Sequence, residues 1–268
     1  MRSFVLLLCL SVGTASAATQ ISVPSNTLMR LPVASSTLQL ERLEVADQAT
    51  LMVPASVTEL RIGQLFMGRD ARIGVASGDQ PLRLVIDDAD IGPGAWISAK
   101  GAAGTYTRPA TPGREISLKL HKLTFESLTL DVRGGQGTPG YAGLDGAHGQ
   151  PGGCTWGQAS AGYDGQDGTD GHDGAPGGNV VLEVPHHVEV ERMQVLLDGG
   201  AGGAAGSAGR PGRGGAAKGC LLYGVDGAAD GKPGQPGREG AAGRSGAVQV
   251  FRLREGESER KAAMGLFA

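Results

Sequence analysis

The residues best suited to chemistry are four aspartates at a fixed spacing of three, Asp164, Asp167, Asp170 and Asp173, each third in a Gly-x-Asp triplet. A carboxylate row suggests calcium. In an extended helix with three residues per turn, however, successive carboxylates stand about 9 Å apart. An ion held at about 2.3–2.6 Å cannot bridge that gap without a second acidic strand, and the rest of the chain does not supply one. Zinc finds no better set: no Cys-x-x-Cys exists, and His148 and His172 sit inside Gly-rich runs away from any thiol at ligand spacing. His186 and His187 are adjacent on an expected strand, so they point to opposite faces and form no single site. Asp87 and Asp88 are the one carboxylate pair that a polysaccharide-cleaving solenoid would use. Neither Gly-x-Ser-x-Gly nor His-Glu-x-x-His occurs. The expectation is a non-enzymatic protein with no catalytic residue, no metal and no cofactor.

The redox argument points outside the cell. Residues 1–17 have the form of a signal peptide: Arg2, then the apolar stretch Phe4–Leu10, then the small cleavage site Ala15-Ser16-Ala17. Its apolar run is too short to span a bilayer, and no later stretch of 18 apolar residues offers a transmembrane anchor. Cleavage would leave two cysteines, Cys154 and Cys220, and an even pair in an oxidising compartment reads as a disulfide. The expected location is therefore exported: the extracellular space or cell surface, with the periplasm as the alternative. With 24 basic and 27 acidic residues the chain lacks the basic excess of a nucleic-acid binder.

Positioning falls to two kinds of sequence. Glycine makes up 47 of 268 residues, about 18%, against a usual share of about 7%. Aromatics are only 4%, so the core has to be aliphatic. From about residue 36, apolar residues alternate with polar ones in bursts of three short pieces. One burst holds Leu43, Val45 and Leu51, the next Leu65, Met67 and Ile73, the third Ala89, Ile91 and Ile97. The steps from Leu43 to Leu65 and from Leu65 to Ala89 are 22 and 24 residues. Period two within a repeat too short to fold alone predicts an all-β chain, a short β-solenoid resembling a parallel β-helix. The competing arrangement, a β-sandwich, does not explain why the insertions all follow the third piece of a rung.

The rungs are expected over residues 18–133, with a short insertion at 101–114, and again over 179–198. A terminal strand and tail follow at 247–268. Two long insertions, 134–178 and 199–246, carry Gly at every third position in two blocks each, and each pair of blocks flanks one cysteine. That period matches a left-handed extended helix whose Gly residues share one edge.

The triplets (GTPGYAGLDGAHGQPGG and GKPGQPGREGAAGRSG) resemble collagen-like Gly-x-y repeats over roughly 80 residues. The blocks are short, Pro is sparse, and the register breaks at both cysteines, which favours polyglycine-II hairpins folded within one chain. Such hairpins look like the Gly-rich antifreeze proteins of springtails and the polyglycine-II adhesin tips of tailed phages. A block of about 18 residues would run about 55 Å and return beside itself, with its cysteine at the tip. Rungs about 4.7–4.9 Å apart would bring the two tips together, so that Cys154–Cys220 ties them.

Residues 134–178 carry five Asp and no Lys or Arg, whereas 199–246 carry six basic and three acidic residues. An acidic hairpin beside a basic one would fix their mutual register. Trp156, Tyr163 and Tyr223 near the cysteines form a candidate contact patch at the tips. The expectation is a secreted structural or adhesive protein, a monomer presenting two linked hairpins to another protein or to a cell-surface or glycan component. The alternatives are a collagen-like fibrous trimer and an ice- or glycan-binding protein using the flat Ala/Gly faces.

Overall fold

The computed structural model describes residues 19–31, 35–155 and 157–253. The expected signal peptide lies outside the described residues, as do Trp156 and most of the tail. The described chain is all-β with parallel sheets, a β-solenoid-like arrangement; one 3-10 turn, Val190–Arg192, interrupts it.

Long and short strands alternate along the chain. The long set comprises β1 (Gln20–Val23), β3 (Thr37–Val45), β5 (Glu59–Met67), β7 (Leu82–Ile91), β9 (Ile116–Phe125), β11 (Val180–Pro185) and β15 (Val248–Leu253), hydrogen-bonded in that order. The short set comprises β2 (Leu28–Arg30), β4 (Thr50–Val53), β6 (Arg72–Val75), β8 (Ala95–Ser98), β10 (Leu128–Asp131) and β12 (Met193–Leu196), again stacked in chain order. A two-residue antiparallel pair, β13 (Lys218–Gly219) and β14 (Gly224–Val225), stands apart from both sheets.

Stacking in register explains the bursts. Leu40, Ile62, Ile86 and Leu120 form one inward column, Leu43, Leu65, Ala89 and Leu123 a second, and Leu51, Ile73, Ile97 and Leu130 a third. All twelve are buried. Each such aliphatic side chain withdrawn from water contributes roughly 1.5–3 kcal/mol, and the columns run unbroken from rung to rung.

Two of the three expected pieces run on as one strand. Glu41, Gly63, Asp87 and His121 drop out of the pairing in the middle of β3, β5, β7 and β9. Inward positions shift there from an even to an odd spacing, Leu40 to Leu43 and Ile86 to Ala89. The wall turns at that column. A Cβ on Gly63 would stand 2.7 Å from the Glu41 carbonyl oxygen, so the corner has no room for a larger residue there.

The next corner is a column of left-handed residues: Asn26, Gln48, Asp70 and Gly94, with φ of 57°, 56°, 53° and 72°. Asn, Asp and Gly tolerate this region better than other residues. Each amide is satisfied by the rung above, as in Gln48 N–H to Arg69 O at 2.8 Å and Asp70 N–H to Pro93 O at 2.9 Å. A rung precedes residue 36, within the expected span that starts at residue 18: β1 pairs with β3 through Ile21↔Leu43 and Val23↔Val45. Its strands of four and three residues hold too few periods to show as a burst of their own.

The three insertions leave from the ends of β8, β10 and β12 and return to the long-strand sheet at β9, β11 and β15. Arg114 secures the first return. Its guanidinium is buried, with Nε donating to Gln80 O and Nη2 to Val57 O, both at 2.6 Å. Burial pushes its pKa below the usual arginine value.

Candidate functional site

Above the solenoid the Gly-triplet segments hydrogen-bond to one another. Four runs take part: 134–152, 160–178, 199–215 and 227–246. The second runs opposite to the first, with Gln166 N–H to Leu144 O and Thr169 N–H to Tyr141 O, both at 2.9 Å. The third bonds to the second through Gly203 N–H to His172 O at 2.8 Å and Gly206 N–H to Thr169 O at 2.9 Å. The fourth bonds to the third through Gly237 N–H to Gly206 O at 2.9 Å. First-run amides reach the third, and second-run amides the fourth, as in Gly140 N–H to Ala204 O at 2.9 Å and Gly168 N–H to Gln235 O at 2.8 Å. Only Gly permits this approach: a Cβ on Gly206 would fall 1.9 Å from Tyr141 O.

The Asp series has a defined task in this arrangement. Oδ1 of Asp164, Asp167, Asp170 and Asp173 accepts the backbone N–H of Lys232, Gln235, Arg238 and Ala241 at 2.6–2.7 Å. Asp145 Oδ1 does the same for Arg210 N–H at 2.6 Å, and His148 Nδ1 for Arg213 N–H at 2.9 Å. Buried or crowded amides need such partners. Register between the acidic and basic segments is therefore set by carboxylate on backbone; among the described residues no ion pair joins them. Nor do the described residues hold a cluster of three or more His, Cys, Asp or Glu placed for a metal.

Of the Asp87 and Asp88 carboxylates only the second is held by a hydrogen bond: Lys122 Nζ donates to Asp88 Oδ2 at 3.0 Å, while Asp87 Oδ1 lies 3.1 Å from His121 Nδ1, a buried atom that makes no hydrogen bond. His186 and His187 occupy an exposed turn after β11 rather than a strand. An ion pair with a buried carboxylate and a partly exposed guanidinium braces the root of the first long insertion: Arg133 Nη2 lies 2.8 Å from Asp131 Oδ2. Burial pushes the Asp131 carboxyl up, but hydrogen bonds from the Arg133 side chain and backbone outweigh it and hold the pKa below the usual carboxylate range.

At the far end Cys154 and Cys220 form a disulfide with Cα atoms 5.7 Å apart. The Tyr223 hydroxyl donates to Cys154 O, which ties the second tip to the first. Cys220 N–H donates to Tyr223 O at 2.8 Å, closing a turn between β13 and β14 whose two central residues are Leu221 and Leu222. These two side chains are 98% and 92% exposed. An open cavity of about 630 Å³ lies at the same end, lined by Thr155, Gln158, Tyr223, Val225 and Asp226 and by neither leucine.

Of the residues singled out by sequence, Cys154, Cys220 and Tyr223 come together here. Tyr163 does not: it belongs to the second run, where its amide bonds to Ala147 O, and its side chain is exposed along the flank. Leu221 and Leu222 were missed. The signal was available, since with Val225 they are the only Leu, Ile, Val or Met residues in 199–246.

Among the described residues no helix is long and apolar enough to cross a membrane. The disulfide is compatible with an exported protein. Comparison with protein-family models, curated proteins and solved structures finds no match for this chain.

Proposed function

We propose that this is an exported, non-catalytic adhesive protein in which a β-solenoid base carries two polyglycine-II hairpins and presents their disulfide-linked tips to a partner surface. The observation that carries the reading is the Leu221–Leu222 pair, almost fully in water at the central positions of a turn. Turn centres favour Gly, Asn and Asp. Two leucines there contradict local preference, and such contradictions concentrate at functional sites. The disulfide and the Tyr223–Cys154 hydrogen bond support the same reading, because a preorganised loop loses little freedom on contact. The hydrogen-bonded ion pair between Asp88 and Lys122 supports a structural role for that member of the one carboxylate pair suited to catalysis.

The test is site-specific photo-crosslinking in the producing cell, with the photoreactive residue at position 222 and, as control, at the exposed solenoid residue Phe66. The reading expects a discrete adduct from position 222 that disappears when Leu221→Ser is added, and none from position 66. No adduct at 222, or equal labelling from both sites, would contradict it.

A further inference from the structure

The flank shared by the first and second runs carries its own pattern. Thr169 Oγ1 accepts Tyr141 N–H at 2.7 Å and Ser160 Oγ accepts Gln150 N–H at 2.8 Å. From Ser160 to His172 the residue at this register of the second run donates its amide to the first run, and it is itself exposed. Opposed pairs follow at one per triplet, Tyr141 with Thr169, Leu144 with Gln166, and Ala147 with Tyr163, spaced about 9 Å apart.

Tyr141, Leu144 and Tyr163 are 58%, 66% and 69% exposed. At the solenoid end Tyr106, from the short insertion, stacks on Tyr141 with ring centroids 4.4 Å apart. Both rings stay more than half exposed. Neither row contains Asp, Glu, Lys or Arg, because the charged residues of these two runs occupy the third triplet position.

We propose that this flank is a binding track for an extended neutral polysaccharide, independent of the tip contact. A protein partner of core-like apolarity would need a contiguous patch, and here flat apolar groups recur singly with amide and hydroxyl groups between them. A nucleic acid or acidic glycan would need lysines or arginines, and the two rows hold none. A chain of pyranose rings has the matching chemistry. Its apolar C–H faces stack on aromatic rings, and its hydroxyls bond to groups such as Gln166 and Thr169. The backbone hydrogen bonds between runs hold the spacing fixed before binding.

The test is calorimetric titration of the oxidised full chain with cellohexaose and with chitohexaose. Saturable binding to at least one is expected. Tyr141→Ala combined with Tyr163→Ala should weaken it at least about tenfold. Tyr141→Trp, which keeps a flat ring, should retain it, and Leu221→Ser with Leu222→Ser should leave it unchanged even if tip crosslinking is lost. Binding of neither hexasaccharide would overturn the proposal. So would undiminished affinity in the double Tyr variant, or loss in Tyr141→Trp with an unchanged melting profile.

Discussion

Asp170 Oδ1 accepts the backbone N–H of Arg238 at 2.7 Å, across 68 residues of sequence. Three further aspartates repeat the contact at one triplet intervals. The acidic run is thus a row of hydrogen-bond acceptors for a neighbouring backbone. What the geometry needs is an oxygen acceptor at that position, and an amide oxygen also offers one, though without the charge that strengthens the bond.

Replacing all four aspartates separates the two roles. The Asp→Asn set keeps a weaker, uncharged Oδ1 acceptor and should cost much less than removal of the acceptors, with little dependence on salt. The Asp→Ala set removes the acceptors and should cost about 1 kcal/mol per site, read by denaturant unfolding. A large loss in the Asn set would assign the register to charge attraction instead.

Close approach makes a second prediction. Gly206→Ala would set a Cβ 1.9 Å from Tyr141 O and 2.9 Å from Thr169 N, so the central runs must part. Gly219→Ala meets nothing within 4 Å. Hydrogen exchange of the triplet amides should accelerate strongly in the first variant and stay as in the parent chain in the second.

The Cys154–Cys220 bond joins positions 66 residues apart. In the chain-entropy account, closing a loop of that length is worth about 4 kcal/mol. Cys154→Ser with Cys220→Ser should lose up to that amount and expose tip amides first. Equal stability of the oxidised and double-Ser chains would show that the tips are held by Tyr223 and the backbone alone.

Acid should act at the root of the first long insertion. Asp131 has a depressed folded pKa, so its contribution is present above the unfolded carboxylate value, about 3.9, and is lost as pH falls through the folded value. Asp131→Asn should lower the melting temperature at neutral pH. The gap between variant and parent should close as pH drops into that range.

The solenoid rungs were legible because one column, Leu43, Leu65 and Ala89, repeats at nearly constant spacing and every member is buried. The first rung falls inside the expected span but shows no burst of its own, since Ile21 and Val23 span a single period. The corner at Glu41, Gly63, Asp87 and His121 looked like a break between strands, because a phase shift in burial reads the same whether the chain stops or bends. At the tip, cysteine parity and spacing led to the disulfide. Counting charges could not distinguish a carboxylate facing a lysine from one facing the amide beside it, so the role of Asp164 to Asp173 emerged only with coordinates. Aromatic content drew attention to Tyr163, while the exposed pair was aliphatic.

Sedimentation equilibrium of the oxidised protein distinguishes Gly runs that satisfy one another within a single chain from runs packed between chains. A monomer at every concentration is expected, with the triplet amides protected from exchange. A stable trimer would contradict it, because the Gly edges would then be packed around an axis shared between chains.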